Sequence, residues 1–470
     1  MKRLDLTSEQ LVSRLLAQSE FKQVCLLDSC GTEGWGGGLL IAGIAPSTSI
    51  QSNPDLPESA LSTFARFEQE APATFFTLSY ELGSELQGVS GWPGGCENTG
   101  IFAAAFDALV IHRYSTGETF LAGSERGIRS TLEALGENNG APFHTPIPAD
   151  EVEPEFEIKK DEYIHKVETI LEYIRAGDTY QTNLTQKIRV PVGPDRMARH
   201  LYADLRVNHP AAFSAFIDRG EDQVVSISPE RFLRTSFVDG KHRIEAAPIK
   251  GTRPRNGKRA IDRENLRDLI TSSKDRAENT MITDLLRNDL GRVCLYGSVR
   301  VDSLCEVQEL PTLFHLVSRI SGDLKPVTGI KDILTAAFPC GSITGCPKIR
   351  TMQIIKELEP SPRGLSMGSI GFAFSRSLFP ELDKLWNSEV SAGVPNADRC
   401  YDLNVAIRTV VVKDGYAEFN VGGGVVIDSD PLAEYAESLD KAKAILSALG
   451  ASGDTTVDKQ PTRSATEQST

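Results

Sequence analysis

Two side chains of opposite character lie 20 positions apart: Glu230 in Ser228-Pro229-Glu230-Arg231-Phe232, and Lys250 in Ala247-Pro248-Ile249-Lys250-Gly251-Thr252. A carboxyl and an amine held close together can act as general acid and covalent nucleophile in one reaction. An arbitrary Glu/Lys pair on adjacent strands is ordinarily an ion pair of small worth. This lysine has another setting, because Pro-Ile before it and Gly-Thr after it shape the backbone for close approach. Residues 224–228 and 243–247 read as β-runs flanking the turn-prone Asp239-Gly240. The spacing predicts a hairpin that brings acid and amine to the ends of adjacent strands.

A second cluster is acidic. Glu278 falls on an apolar periodic stripe, with Met281, Ile282 and Leu285 after it and Asp275 one turn before. A carboxylate there needs a partner or a cation, since burying it alone is costly. Glu434 and Glu437 repeat the i, i+3 spacing near the end of the chain. Oxygen donors from two helices suit Mg²⁺, which keeps several waters. First-turn glutamates also favour a helix N-terminus without any metal, so both readings stand at this level.

Other groups have the chemistry to hold an anion. Arg408 interrupts an apolar run, either as a snorkelling edge residue or as a fork for a carboxylate. Gly422-Gly423-Gly424 follows, where glycines could simply relieve strand crowding. His315 lies in the apolar Phe314-His315-Leu316-Val317, a setting in which a satisfied core histidine is the ordinary outcome. The run Gly341-Ser342-Ile343-Thr344-Gly345-Cys346-Pro347-Lys348 lacks phosphate-loop spacing, and 34–38 lacks the dinucleotide pattern.

The elements that must position these groups follow from periodicity. Helices are expected over 8–19, 163–174 and 263–288, and from Pro431, capped by Asp430, to Gly450. A strand over 179–192 places Gln181 near its start. The proline-rich stretch 142–154 marks a linker at 146–155 between a region 1–145 and a larger region 156–450, and 451–470 reads as a disordered tail.

A net charge of −14 argues against nucleic acid or an anionic membrane as partner. No apolar run is long enough to span a bilayer and no signal core follows Met1, so a cytoplasmic location is expected. The eight cysteines show no metal-ligand spacing, and none lies in Gly-x-Cys-x-Gly, the elbow of a glutaminase nucleophile. Glutamine hydrolysis would have to come from another chain.

On Pro-Ile-Lys-Gly-Thr, on Gly177-Asp178-Thr179-Tyr180-Gln181-Thr182-Asn183-Leu184 and on the Glu-x-x-Glu of the last helix, the chain resembles the chorismate-utilising enzymes. The likeness is strong over 156–449 and weak before it. It implies an α/β (α+β) body of two interleaved halves, antiparallel sheets packed against outer helices, and an active site in the cleft between the halves. In the anthranilate synthase branch the Lys250 position is usually alanine, and in the isochorismate branch the Gln181 position is usually lysine. Lysine with glutamine points to the branch that replaces the C4 hydroxyl of chorismate by an amino group and keeps the enolpyruvyl ether, for folate (4-aminobenzoate) synthesis.

The resemblance also implies roles. Lys250 attacks C2, Glu230 protonates the departing hydroxyl, and ammonia from a partner glutaminase adds at C4. Glu278 and Glu437 would hold Mg²⁺, with Asp275 and Glu434 acting through water. Gln181, Gly251, Thr252, His315, Ser342, Lys348, Arg408, Gly422 and Gly424 would hold chorismate. Relatives bind an amino acid, often tryptophan, at places matched loosely here by 26–29 and 208–213. The chain departs from the family pattern at Ser366, where a tyrosine is common, and at Phe372 and Ala247.

Overall fold

The computed structural model describes residues 1–20, 22–53, 57–92, 100–136, 152–193, 197–310, 313–387 and 398–451. Among these, strands form one sheet of 12 and one of 10, and all the paired strands are antiparallel. The larger sheet carries the neighbours Val24–Asp28, Phe213–Asp218, Gln223–Ser228, Thr409–Lys413, Tyr416–Val425, Gln181–Pro191 and Gly345–Cys346 in that order. The other runs from Ile249–Pro254 through Leu313–Asp323, Lys241–Ala247, Arg231–Val238, Arg399–Asn404 and Ser369–Ser375 to Ala73–Leu78 and beyond. Regions 1–145 and 156–450 share both sheets, since Val24–Asp28 pairs with Phe213–Asp218 and Ala73–Leu78 with Ser369–Ser375. Most of the expected linker, to residue 151, and the tail from 452 lie outside the described residues.

Strands such as Val24–Asp28, Leu39–Ile44 and Ala73–Leu78 are buried along their whole length, as continuous apolar runs demand. Aromatic rings lock one core together: Phe75 lies 4.9 Å from Phe372 and 5.3 Å from Phe106, and Phe374 lies 5.0 Å from Trp386. Full burial of each such ring contributes about 1.5–3 kcal/mol. Phe372 is thus core. Gly371 beside it admits no side chain, because a Cβ there would lie 2.3 Å from the Phe76 ring.

The sequence expectation for the Asp239-Gly240 hairpin was right about the turn and wrong about one strand. Arg231–Val238, not 224–228, pairs with Lys241–Ala247, and positive φ at Asp239 and Gly240 fits the tight turn. Gln223–Ser228 belongs to the other sheet, and Pro229-Glu230 is the crossing between them. The predicted helix 263–288 is two helices, Arg259–Thr271 and Ser273–Val293. The break is at Ser272, whose hydroxyl accepts from the Asp275 amide and caps the second helix. Ile270 is consequently exposed and Leu269 buried. The last helix, Pro431–Ala448, is capped by Asp430 as expected. Among the described residues no helix is long and apolar enough to cross a membrane, and the seven cysteines are free.

Candidate active site

The chain crosses between the sheets twice at one place. The first crossing, between Gln223–Ser228 and Arg231–Val238, carries Glu230; the second, between Arg399–Asn404 and Thr409–Lys413, carries Arg408. The crossings are tied together, the Val405 amide donating to the Glu230 carbonyl at 3.0 Å and the Ser228 hydroxyl to the Val405 carbonyl at 2.6 Å. Between the sheets lies a cavity of about 700 Å³, lined by Glu230, Lys250, Ser342, His315, Arg408 and the helix acids. Its size suits one small molecule.

Lys250 enters from a bulged strand. Register slips between Ile249, opposite Val317, and Thr252, opposite His315. A bulge re-aims a side chain out of the regular alternation, and here Gly251 makes it with φ +84°. A Cβ at Gly251 would lie 3.0 Å from the Asp275 side chain, so helix Ser273–Val293 packs directly on the bulge. The Lys250 ammonium reaches the Ser342 carbonyl at 3.4 Å.

Glu230 is 5% exposed, and burial pushes its carboxyl up to about 7, against the opposing pull of Lys250, the Ser342 side chain and the Ile249 amide. One of its oxygens, Oε1, has no hydrogen-bond partner. This is a carboxylic acid poised near neutrality beside an amine, the arrangement required for proton donation to a leaving group.

His315 Nδ1 and Thr252 Oγ1 are 2.9 Å apart. Burial, assisted by the Arg408 charge, lowers the imidazole to about 4, so it is neutral in the cavity. Arg408 sits in left-handed backbone, φ 49°, and among the described residues forms no ion pair with a carboxylate. Burial depresses its pKa, and an uncompensated guanidinium lining a cavity is an anion site. Gly422 and Gly424 also line the cavity. Gly422 accepts no side chain, since a Cβ would lie 1.9 Å from the Leu184 carbonyl oxygen, and a Cβ at Gly424 would displace the Gln181 carboxamide, whose Nε2 lies 2.3 Å away.

The acids line the same cavity, Glu434 and Glu437 beside Gly423 and Asp275 against Gly251. Glu278 is raised by burial and by its neighbours Asp275 and Glu434, against the pull of Lys250 and Lys274. Glu434 is raised by burial and by Glu437, and accepts from the Ser429 hydroxyl at 2.6 Å. Glu437 ends below its usual range because Lys441, at 2.8 Å, with Lys274 and Lys250, outweighs burial. Asp275 is ion-paired with Arg253 at 2.9 Å.

Among the described residues no group of three His, Cys, Asp or Glu side chains is placed to cage a metal. Glu278 and Glu437 nevertheless reach the same cavity with hard oxygen donors, and burial, with repulsion among the carboxylates, raises Glu278 and Glu434. That donor set fits a cation that retains most of its water.

Fourteen of the fifteen predicted site residues gather at this cavity or, for Gln181, directly behind its Gly424 wall. Lys348 does not. Its ammonium is buried against Asp289 at 2.6 Å and the Ala337 carbonyl at 2.8 Å, and it contributes no free positive charge. Ser366, at the family's tyrosine position, is buried and accepts from the Asn420 amide at 3.0 Å. The residues 26–29 are engaged internally: Asp28 holds Arg206 at 2.6 Å and the Tyr114 hydroxyl at 2.6 Å. Sequence reasoning missed Asn183, Arg253, Lys274, Asn420 and Lys441 as cavity residues. Asn183 had a signal, standing two positions from Gln181 and therefore on the same strand face.

A family model described as chorismate binding enzyme matches residues 22–377 and 391–447. An aminodeoxychorismate synthase component 1 from Klebsiella aerogenes is 40% identical over 293 residues, 62% of this chain and 58% of that protein. An anthranilate synthase component 1 from Haloarcula marismortui is 38% identical over 305 residues, 65% of this chain and 56% of its own length. These matches span little more than half of those relatives. The crystal structure of anthranilate synthase component I from Streptococcus pneumoniae superposes with a TM-score of 0.66 at 23% identity, covering 90% of this chain and 89% of that one, which establishes the shared fold.

Proposed function

Because this chain belongs to the chorismate binding enzyme family, we propose that it converts chorismate and ammonia to 4-amino-4-deoxychorismate, a step toward 4-aminobenzoate and folate. The observation that carries this reading is the pairing of Lys250 with a buried Glu230 held near neutrality in one cavity. Lys250 as a neutral amine attacks C2. The ring double bonds shift, the C4–O bond breaks, and protonated Glu230 gives its proton to the departing hydroxyl, which leaves as water. Ammonia then forms the C4–N bond while the C2–N bond to Lys250 breaks. The amine leaves neutral, and the ionised Glu230 takes a proton from the new ammonium, closing the cycle.

Arg408 would take one substrate carboxylate. Glu278 and Glu437 would hold Mg²⁺, which when bound supplies a counter-charge for the ring carboxylate and draws electron density from the ring. Neutral His315 and the Thr252 hydroxyl offer hydrogen bonds without adding charge. Ammonia would come from a separate glutaminase subunit, a reading supported by the component 1 names of the relatives.

Anthranilate synthase activity is the second reading, favoured by the Haloarcula relative and opposed by Lys250. Isochorismate synthesis needs a base where Gln181 stands, and a glutaminase-binding scaffold has no use for the acid–amine pair. The test is purified chain with chorismate, Mg²⁺ and ammonium chloride. Product lighter than chorismate by the difference between hydroxyl and amino, with no pyruvate, is expected. Pyruvate with a fluorescent aromatic product overturns the reading, as does an isomer of unchanged mass.

A further inference from the structure

Buried polar atoms without partners are costly, and the strand Gln181–Pro191 presents three of them beside the cavity. Gln181 is fully buried and neither its Oε1 nor its Nε2 has a partner; Asn183 is 8% exposed, lines the cavity, and its Oδ1 has none. Residues 181 and 183 share a strand face, and Gly424, the register partner of Asn183, admits the Gln181 carboxamide only because it has no side chain. The backbone beneath them is fixed. The Asn183 amide donates to the Thr344 carbonyl at 2.8 Å, and its carbonyl accepts from buried Arg363 at 2.9 Å. A rigid backbone with idle side-chain oxygens is a preformed subsite waiting for a donor.

We propose that Asn183, with Gln181 behind it, seats the nitrogen nucleophile, accepting N–H hydrogen bonds from ammonia so that its lone pair faces the substrate. The inference rests on the amination reading above and identifies which wall the nucleophile occupies. Ammonia carries three N–H groups and one lone pair. To attack carbon it must direct the donors elsewhere, so its seat must be built from acceptors. Asn183 Oδ1 and the unpartnered Glu230 Oε1, on two residues that line the cavity, are such acceptors. The carboxamide oxygen accepts these N–H groups without taking a proton, which suits a nucleophile that arrives already neutral. The bond that forms is N–C4 and the one that breaks is C2–N of Lys250, with the surplus proton passing to Glu230.

The test compares the unaltered chain with Asn183→Leu and Asn183→Asp, using ammonium chloride as nitrogen source at saturating chorismate. Loss of one buried acceptor should raise the KM for ammonia tenfold or more in Asn183→Leu. The KM for chorismate and the yield of the covalent Lys250 adduct should stay within about twofold, which also shows that the variant is folded. Asn183→Asp keeps an acceptor and should recover most of the loss. An unchanged KM for ammonia in Asn183→Leu overturns the inference. So does a KM for chorismate that rises in parallel, because Asn183 would then hold the substrate itself. Should Asn183→Leu fail to fold, the smaller truncation Asn183→Ala is read in the same way. If the unaltered chain forms no aminated product, the amination reading fails, and the inference with it.

Discussion

Glu230→Gln separates the catalytic from the structural consequence of burying an acid. The Glu230 carboxyl is held up to about 7 against an ordinary 4.5, chiefly by burial. Its folded pKa is raised, so between those two values the native chain holds a proton that the unfolded chain has released, and stability falls as pH rises through that window. Above about pH 7 the folded protein carries the full cost of ionising the group. A difference of roughly 2.5 units corresponds to about 3 kcal/mol at 1.36 kcal/mol each. Glutamine keeps the shape and never ionises, so the variant should be more stable than the parent by that amount at pH 8.5 and by under about 1 kcal/mol at pH 5. With an unfolding entropy near 2.1 cal/mol/K per residue, a 470-residue chain responds by about 1 °C per kcal/mol, giving a rise of about 3 °C at pH 8.5. Scanning calorimetry of both chains at both pH values measures it. The parent's kcat should fall about tenfold per pH unit above 7, as the acid loses its proton. The variant should be slower by about 10²–10⁴-fold with that limb gone. Equal melting-temperature differences at pH 5 and 8.5, or a surviving limb in the variant, would refute the reasoning.

Lys250→Ala should abolish the covalent chorismate adduct in intact-mass spectrometry, while direct attack by ammonia leaves slow residual turnover; an adduct on another side chain counts against the proposed chemistry. Glu278→Gln and Glu437→Gln should each raise the Mg²⁺ concentration for half-maximal activity by tenfold or more, and Asp275→Asn by less, because Asp275 is engaged by Arg253. Arg363→Ala removes a fully buried guanidinium that holds Glu359 at 2.7 Å and the Ile343 and Asn183 carbonyls, and it leaves the Glu359 charge uncompensated. A loss of about 3–5 kcal/mol is expected, read as a fall in melting temperature.

The sequence made legible what local chemistry determines. The cap at Asp430, the Asp239-Gly240 turn and the carboxylates on apolar helical stripes are set by neighbours within a few positions, and the structure keeps each of them. Tertiary relations were less visible. The partner of Lys241–Ala247 was misassigned because 224–228 and Arg231–Val238 are both plausible strands, and only the sheet-to-sheet crossing at Pro229-Glu230 separates them. Lys348 is expected to hold substrate because nothing local reveals that Asp289, 59 positions earlier in the chain, meets it in the fold. The helix break at Ser272 was missed because a serine inside a periodic stripe looks like a tolerated interior residue until its hydroxyl is seen capping. Asn183 was overlooked for a similar reason: an unpartnered atom is visible only once every neighbour has been placed.

Cavity electrostatics lead to a last prediction. Six acids line the cavity, Glu230, Asp275, Glu278, Glu434, Glu437 and Asp440, against five cations, Lys250, Arg253, Lys274, Arg408 and Lys441. With Glu230 held as the acid and Lys250 as the neutral amine that attacks, five carboxylates face four cations, and neutral His315 adds nothing. A dianionic substrate meets no net attraction there, and the chain's overall charge of −14 opposes its approach. On the proposed reading Arg408 would compensate one substrate carboxylate, while the other would face Glu278 and Glu437. A divalent cation on those glutamates reverses the sign of that wall, so chorismate and Mg²⁺ should bind cooperatively. Linkage requires the factor to be the same in both directions. Calorimetric titration of Lys250→Ala, which forms no adduct, should show Mg²⁺ strengthening chorismate binding by tenfold or more, and chorismate strengthening Mg²⁺ binding equally. The double variant Glu278→Gln, Glu437→Gln should bind chorismate without metal at least as tightly as its parent, because the repelling charges are gone. Chorismate binding that is as tight without Mg²⁺ as with it in the Lys250→Ala chain would show that this wall faces no carboxylate, and the assigned substrate orientation would be wrong.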